Sequence, residues 1–155
     1  RLDVDMCNLH AAGAGAMMRG AIEGLTREDG TRPILIAVTQ LTSTDAEALK
    51  NEILIDVSMA ETVMSYAKNA ADCGLDGVVC SPLEAALVKE KCGENFMTVT
   101  PGIRFADSAV GDQKRIATPA AAIAAGASKL VIGRPITGAE DPVAAFEEIV
   151  AELCE

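Results

Sequence analysis

Residues Thr98–Arg134, TVTPGIRFADSAVGDQKRIATPAAAIAAGASKLVIGR, decide how the chain is read. The stretch opens on a strand-like run, TVTPGIRF, and passes through a polar loop, ADSAVGDQKR. It enters a helix at Thr118-Pro119, where a capping hydroxyl precedes a proline suited to the first helical turn, and a second strand closes on VIGR. Parallel strands joined by a helix need a right-handed crossover, which lays the second strand beside the first and delivers their loops to one sheet edge. Arg104, Gln113, Gly133 and Arg134 therefore converge. Arg134 offers a planar fork of donors that matches phosphate oxygens, and Gly133 lets backbone N–H groups approach an anion. Gln113 adds a neutral donor. The run RPITGAEDP after Gly133 has room for a short turn whose amides face the ligand. Singly, Arg134 reads equally well as a surface cation and Gly133 as a turn residue; it is the convergence that points to a phosphate site.

Outward from this stretch, strand-like and helix-like segments alternate. DVDMCNLHA is the first strand, with Val4–Leu9 expected in the interior, and GAGAMMRGAIEGL is a helix in which Met17 and Met18 are expected to fill core, as is Met64 further on. The continuous apolar run Ile34–Val38 in RPILIAVTQL suits a strand covered on both faces. Thr44-Asp45 starts a short helix through Leu49. Ser58 and Glu61 form a capping box for a helix to Cys73 that Gly74 ends. DGVVCS is a strand, and Ser81-Pro82 caps a helix to Cys92. The last helix starts at Asp141-Pro142, and Val143, Phe146, Ile149, Val150 and Leu153 recur at helical spacing, so they are expected to face the core.

Such alternation implies an α/β fold with a parallel sheet, either doubly wound or closed into a barrel. His10, Thr42, Ser81, Arg104 and Arg134 each follow a different strand, as the site residues of a barrel do. GAGAMMRG follows a strand but lacks the glycine spacing of a dinucleotide site. A length of 155 residues suits one domain, and half of it is apolar, enough for a sizeable core. A net charge of −10 and an aromatic content of 3% argue against a nucleic-acid partner, since both phosphate attraction and base stacking are missing. Cys7, Cys73, Cys80, Cys92 and Cys154 are odd in number and scattered, with a single His in the chain. That is neither a disulfide framework nor a metal site, and it points to a reducing, cytoplasmic setting. No apolar run is long enough to span a bilayer. The chain opens on Arg1 and enters its first strand within a few residues, so the expectation is that an N-terminal part is missing.

The strings NLHAAG, AVTQLTS, DGVVCS, VTPGIR, GDQKR, ATP and VIGRPIT, followed by DP, stand in an order and spacing that resembles the C-terminal portion of the bacterial orotidine 5'-monophosphate decarboxylases. The resemblance runs over essentially the whole chain. It implies a (β/α)₈ TIM barrel, dimeric and without cofactor, that converts orotidine monophosphate to uridine monophosphate and carbon dioxide. The chain, 1–155, is then a single partial barrel domain of about the last five βα units. Arg104, Gln113, Gly133 and Arg134 match the family's phosphate-binding positions, and Thr42 matches the position that hydrogen-bonds the pyrimidine.

One part of the family pattern is missing. Its chemistry rests on Asp-x-Lys-x-x-Asp, whose lysine protonates the carbon left by the departing carboxylate. Lys50, Lys68, Lys89, Lys91, Lys114 and Lys129 all lack this spacing. Lys114 comes nearest, with Asp112 before it but Ala117 three positions on, and Lys114 and Arg115 are expected as solvated loop charges. No catalytic residue is therefore assigned to this chain. His10 is expected as a structural donor and Ser81 as a helix cap, with no base or acid recognisable beside it to make it a nucleophile. Two other classes stay open. One is another phosphate-binding barrel enzyme, such as a hexulose-phosphate synthase, which would need metal-binding carboxylates on strands outside this chain. The other is a non-catalytic phosphate-binding module.

Overall fold

The structure is a computed structural model and describes residues 3–104 and 115–154. Five parallel strands follow one another across the sheet in chain order: β1 (Met6–His10), β2 (Ile34–Val38), β3 (Gly77–Val79), β4 (Met97–Thr100) and β5 (Lys129–Leu130). A doubly wound sheet reverses its strand order at a switch point, and this one never does. Right-handed crossovers that always step the same way put every connecting helix on one face, which is the arrangement of a (β/α) barrel wall.

The helices between the strands are α1 (Ala14–Leu25), α2 (Ala46–Asn51), α3 (Met59–Asp72), α4 (Pro82–Cys92) and α5 (Pro119–Ala124). After β5 come α6 (Arg134–Thr137) and α7 (Pro142–Cys154). Their starts are set by the expected caps. Asp45 accepts from the Ala48 N–H, Ser58 and Glu61 form a reciprocal capping box, and Thr118 accepts from the Ala121 N–H. Asp141 accepts from the N–H groups of Val143 and Ala144, and Gly74 takes a φ of 87° just past α3.

The strands present alternate residues to the two faces of the sheet. Leu35, Ala37, Val78 and Cys80 pack with Met18 of α1, Val63, Ala67 and Ala70 of α3, and Ala85 and Val88 of α4. Gly77 is where the sheet demands the smallest side chain: a Cβ there would lie 2.2 Å from the Met97 carbonyl oxygen.

The margins qualify one expectation and correct two. Val4 is 43% exposed and β1 has no fully buried residue: within this chain β1 pairs with β2 alone, so its other side is uncovered. On α7 only Ala145 and Ile149 are buried, while Val143, Phe146, Val150 and Leu153 are exposed. The stripe is wider than the surface that α5 and α6 offer it. Met18 is fully buried and Met64 packs on the core, but Met17, one position round the helix from Met18, is exposed.

Candidate functional site

The C-terminal ends of the strands frame a cleft of about 260 Å³. Its floor is apolar, from Val38, Val79 and Val131, and its walls carry Gln40, Thr42, Ser43, Arg104, Gly133 and Arg134. Four of the residues singled out from the sequence, Thr42, Arg104, Gly133 and Arg134, thus stand around one cavity. Gln113 and Lys114 lie outside the described residues.

Each wall has a local cause. The Thr44 N–H donates to the Leu41 carbonyl at 2.9 Å, closing a tight turn that carries Thr42 and Ser43 over the end of β2. Beyond β4, Gly102 takes a φ of 79°, which bends the chain so that Arg104 enters the cleft wall. Ile103 then bridges to Ala117, the Arg104 N–H donates to the Ala117 carbonyl at 3.0 Å, and the Arg104 Nη1 donates to the Ile103 carbonyl at 2.7 Å. Arg104 is buried, so its charge is presented from within the wall. Arg134 differs in placement from the sequence reading. β5 ends at Leu130, and Arg134 opens the single helical turn α6, with Gly133 at its N-cap, rather than ending a strand.

Ser81 is fully buried, and its hydroxyl accepts from the Leu83 N–H while the Glu84 carboxylate accepts from the Ser81 N–H, so it is a helix cap as expected. His10 closes β1, is exposed, makes no capping hydrogen bond and does not line the cleft. Cys80, beside Ser81, is fully buried, and burial, followed by the nearby Glu84 charge, pushes its thiol up to about 12.

Arg115 overturns an expectation. It is not a solvated loop charge: its side chain is 13% exposed and pairs with Glu84, itself 10% exposed. Burial holds the Glu84 carboxyl above its ordinary value, and the Arg115 charge offsets only part of that rise. Sequence reasoning also passed over Gln40 and Ser43, although both flank Thr42 within QLTS. Among the described residues no group of three His, Cys, Asp or Glu side chains is placed to hold a metal ion, and no helix is long and apolar enough to cross a membrane.

Chemically, the cleft combines two guanidinium groups, a hydroxyl-bearing turn and an apolar floor. That set suits a ligand with an anionic end and a part that can accept or donate hydrogen bonds.

Residues 1–149 match the model of the orotidine 5'-phosphate decarboxylase / HUMPS family. The chain is 54% identical over 155 residues to a protein named orotidine 5'-phosphate decarboxylase from Geobacillus sp. (strain WCH70), covering 98% of this chain and 65% of that one. It is 54% identical over 151 residues to a protein of the same name from Bacillus cereus (strain G9842), covering 96% and 63%. The crystal structure of orotidine 5'-phosphate decarboxylase from Lactobacillus acidophilus superposes with a TM-score of 0.79 at 43% identity, over 96% of this chain and 63% of that one. The chain therefore spans just under two thirds of the length of these relatives.

Proposed function

Because the chain belongs to the orotidine 5'-phosphate decarboxylase / HUMPS family, we propose that it is the nucleotide-binding portion of an orotidine 5'-monophosphate decarboxylase of pyrimidine biosynthesis. The observation that carries this reading is the single cleft shared by Thr42, Arg104, Gly133 and Arg134. Arg134 takes phosphate oxygens as a planar fork, Arg104 adds positive charge from inside the wall, and Gly133 leaves room for the anion against the backbone. Gln113 joins them as a neutral donor. Thr42 hydrogen-bonds the pyrimidine, over the apolar floor of Val38 and Val79.

In the reaction the bond between the ring carbon and its carboxylate breaks, carbon dioxide leaves, and the electron pair stays on the ring until a general acid protonates that carbon. No lysine of this chain has the family's relay spacing, so the protonating group comes from outside these residues. Phosphate contacts far from the reacting carbon still serve the chemistry, since their binding energy holds the ring in place. No cofactor enters the scheme. The scattered free thiols suit a cytoplasmic enzyme, and the whole enzyme is read as a homodimer, its N-terminal barrel units supplying the relay. The decarboxylase name carried by the Geobacillus and Bacillus relatives favours this reading over a metal-dependent hexulose-phosphate synthase or a non-catalytic module.

The test has two arms. Calorimetry should show uridine monophosphate binding to the chain and uridine binding far more weakly. Loss of orotidine monophosphate absorbance should not exceed the uncatalysed rate. Equal affinity for nucleotide and nucleoside would refute the phosphate site, and measurable turnover would refute the placement of the relay outside the chain.

A further inference from the structure

Arg115 joins three parts of the fold that are distant in sequence. One end of its guanidinium is paired to Oε1 of Glu84, in the first turn of α4. Nη2 donates to the Leu41 carbonyl at 2.9 Å and reaches the Gln40 carbonyl at 3.4 Å. The other Glu84 oxygen, Oε2, accepts from the Ser81 N–H at 2.8 Å, so the carboxylate is held on both sides. The Leu41 carbonyl also accepts from the Thr44 N–H, the bond that closes the turn carrying Thr42. One oxygen thus both shapes that turn and ties it to α4 through Arg115.

Stability alone is a weak account of this arrangement. A buried ion pair recovers little beyond the cost of desolvating its charges, and here Nε is buried without a hydrogen-bond partner. What the pair does supply is position. A planar fork holds several acceptors in fixed relative places, which a lysine cannot do. A hydroxyl displaced by about 1 Å loses most of a directional hydrogen bond.

We propose that Arg115 is the positioning residue for Thr42, clamping the 40–43 turn to the first turn of α4 so that the base-reading side of the cleft is formed before ligand arrives. The inference rests on the reading of the cleft as a nucleotide site, and its test separates the two. Arg115→Met and Arg115→Lys are compared with the wild-type chain by amide hydrogen exchange and by calorimetric titration with uridine monophosphate and with ribose 5-phosphate. Arg115→Met should speed exchange across residues 40–44 about tenfold while α3 and β3 keep their protection. Affinity for uridine monophosphate should fall roughly tenfold, the worth of one hydrogen bond, with ribose 5-phosphate within about twofold of wild type. Arg115→Lys keeps the buried charge, guards against failure to fold, and should loosen the same turn. In a Thr42→Val background, Arg115→Met should cost nothing further for uridine monophosphate. Unchanged protection of 40–44 in both variants, or equal losses on both ligands, would overturn the proposal. If the wild-type chain binds neither ligand, the nucleotide reading falls, and the exchange data alone decide whether the clamp exists.

Discussion

At the N-terminal ends of the strands, Arg32 meets both carboxylate oxygens of Asp76 and donates to the carbonyls of Gly74 and Pro33. Asp76 in turn accepts from the Leu35 N–H at 2.7 Å, so the cluster ties the start of β2 to the start of β3. At the opposite ends, Arg104 and Arg134 stand on the walls of a cavity. The contrast separates two uses of the same side chain. Arg32 has its acceptors just ahead of the two strands that it joins, and its work is finished when the chain folds. Arg104 and Arg134 line the cleft at the site end of the barrel wall, and in the reading proposed above they take the anionic end of the ligand there.

The comparison breaks most directly at Arg134. On the proposed reading Arg134→Ala removes a charge-assisted pair of hydrogen bonds to phosphate and should weaken uridine monophosphate binding by roughly 100-fold or more, with uridine affinity unchanged. Titration of both ligands against wild type decides it, and equal damage to both would mean that Arg134 does not read phosphate.

At the other end the expectation reverses. Asp76→Asn should lower unfolding free energy by about 1 kcal/mol, a figure discounted for the partial exposure of the pair, and leave nucleotide affinity unchanged. Urea denaturation alongside calorimetry reads both quantities.

The same carboxylate sharpens the contrast through pH. Burial works to raise its pKa, but the hydrogen bonds from Arg32 and Leu35 outweigh it and hold Asp76 below its ordinary value of 3.8. A depressed native pKa means that the unfolded chain takes up the proton first. The stabilisation is therefore present above that ordinary value and is lost as pH falls through the native one. The stability gap between wild type and Asp76→Asn should close as pH is lowered below about 3.8. A gap constant from pH 7 to 2.5 would contradict the assignment.

The smallest effect belongs to the margin, away from both ends. Phe146→Glu, on the exposed face of α7, should change stability by less than about 0.5 kcal/mol, while Ile149→Ala on the buried face should cost about 2–4 kcal/mol. Comparable losses in the two variants would mean that the α7 stripe is covered after all.

Much of this architecture was legible beforehand because its causes are local. A capping box such as Ser58 with Glu61 is complete within four residues, and a proline after Ser81 or Thr118 acts on its own backbone. The convergence of Arg104 and Arg134 was legible for a different reason: a short crossover between parallel strands leaves few places for their loops to go. The role of Arg115 was not, because GDQKR looks the same whether its last side chain meets water or Glu84.

By itself, then, the sequence determined the kind and order of the elements, the caps that start them and the set of polar residues carried past the strand ends. These depend on backbone preferences and on spacing along one segment. Only the tertiary structure decided that the α7 stripe is mostly wet in this chain, and that Arg115 is paired with Glu84, 31 residues away, as Arg32 is with Asp76 at a separation of 44. Burial and ion pairing are properties of neighbours in space, and a charge or an apolar stripe acquires its neighbours only when distant segments pack against it.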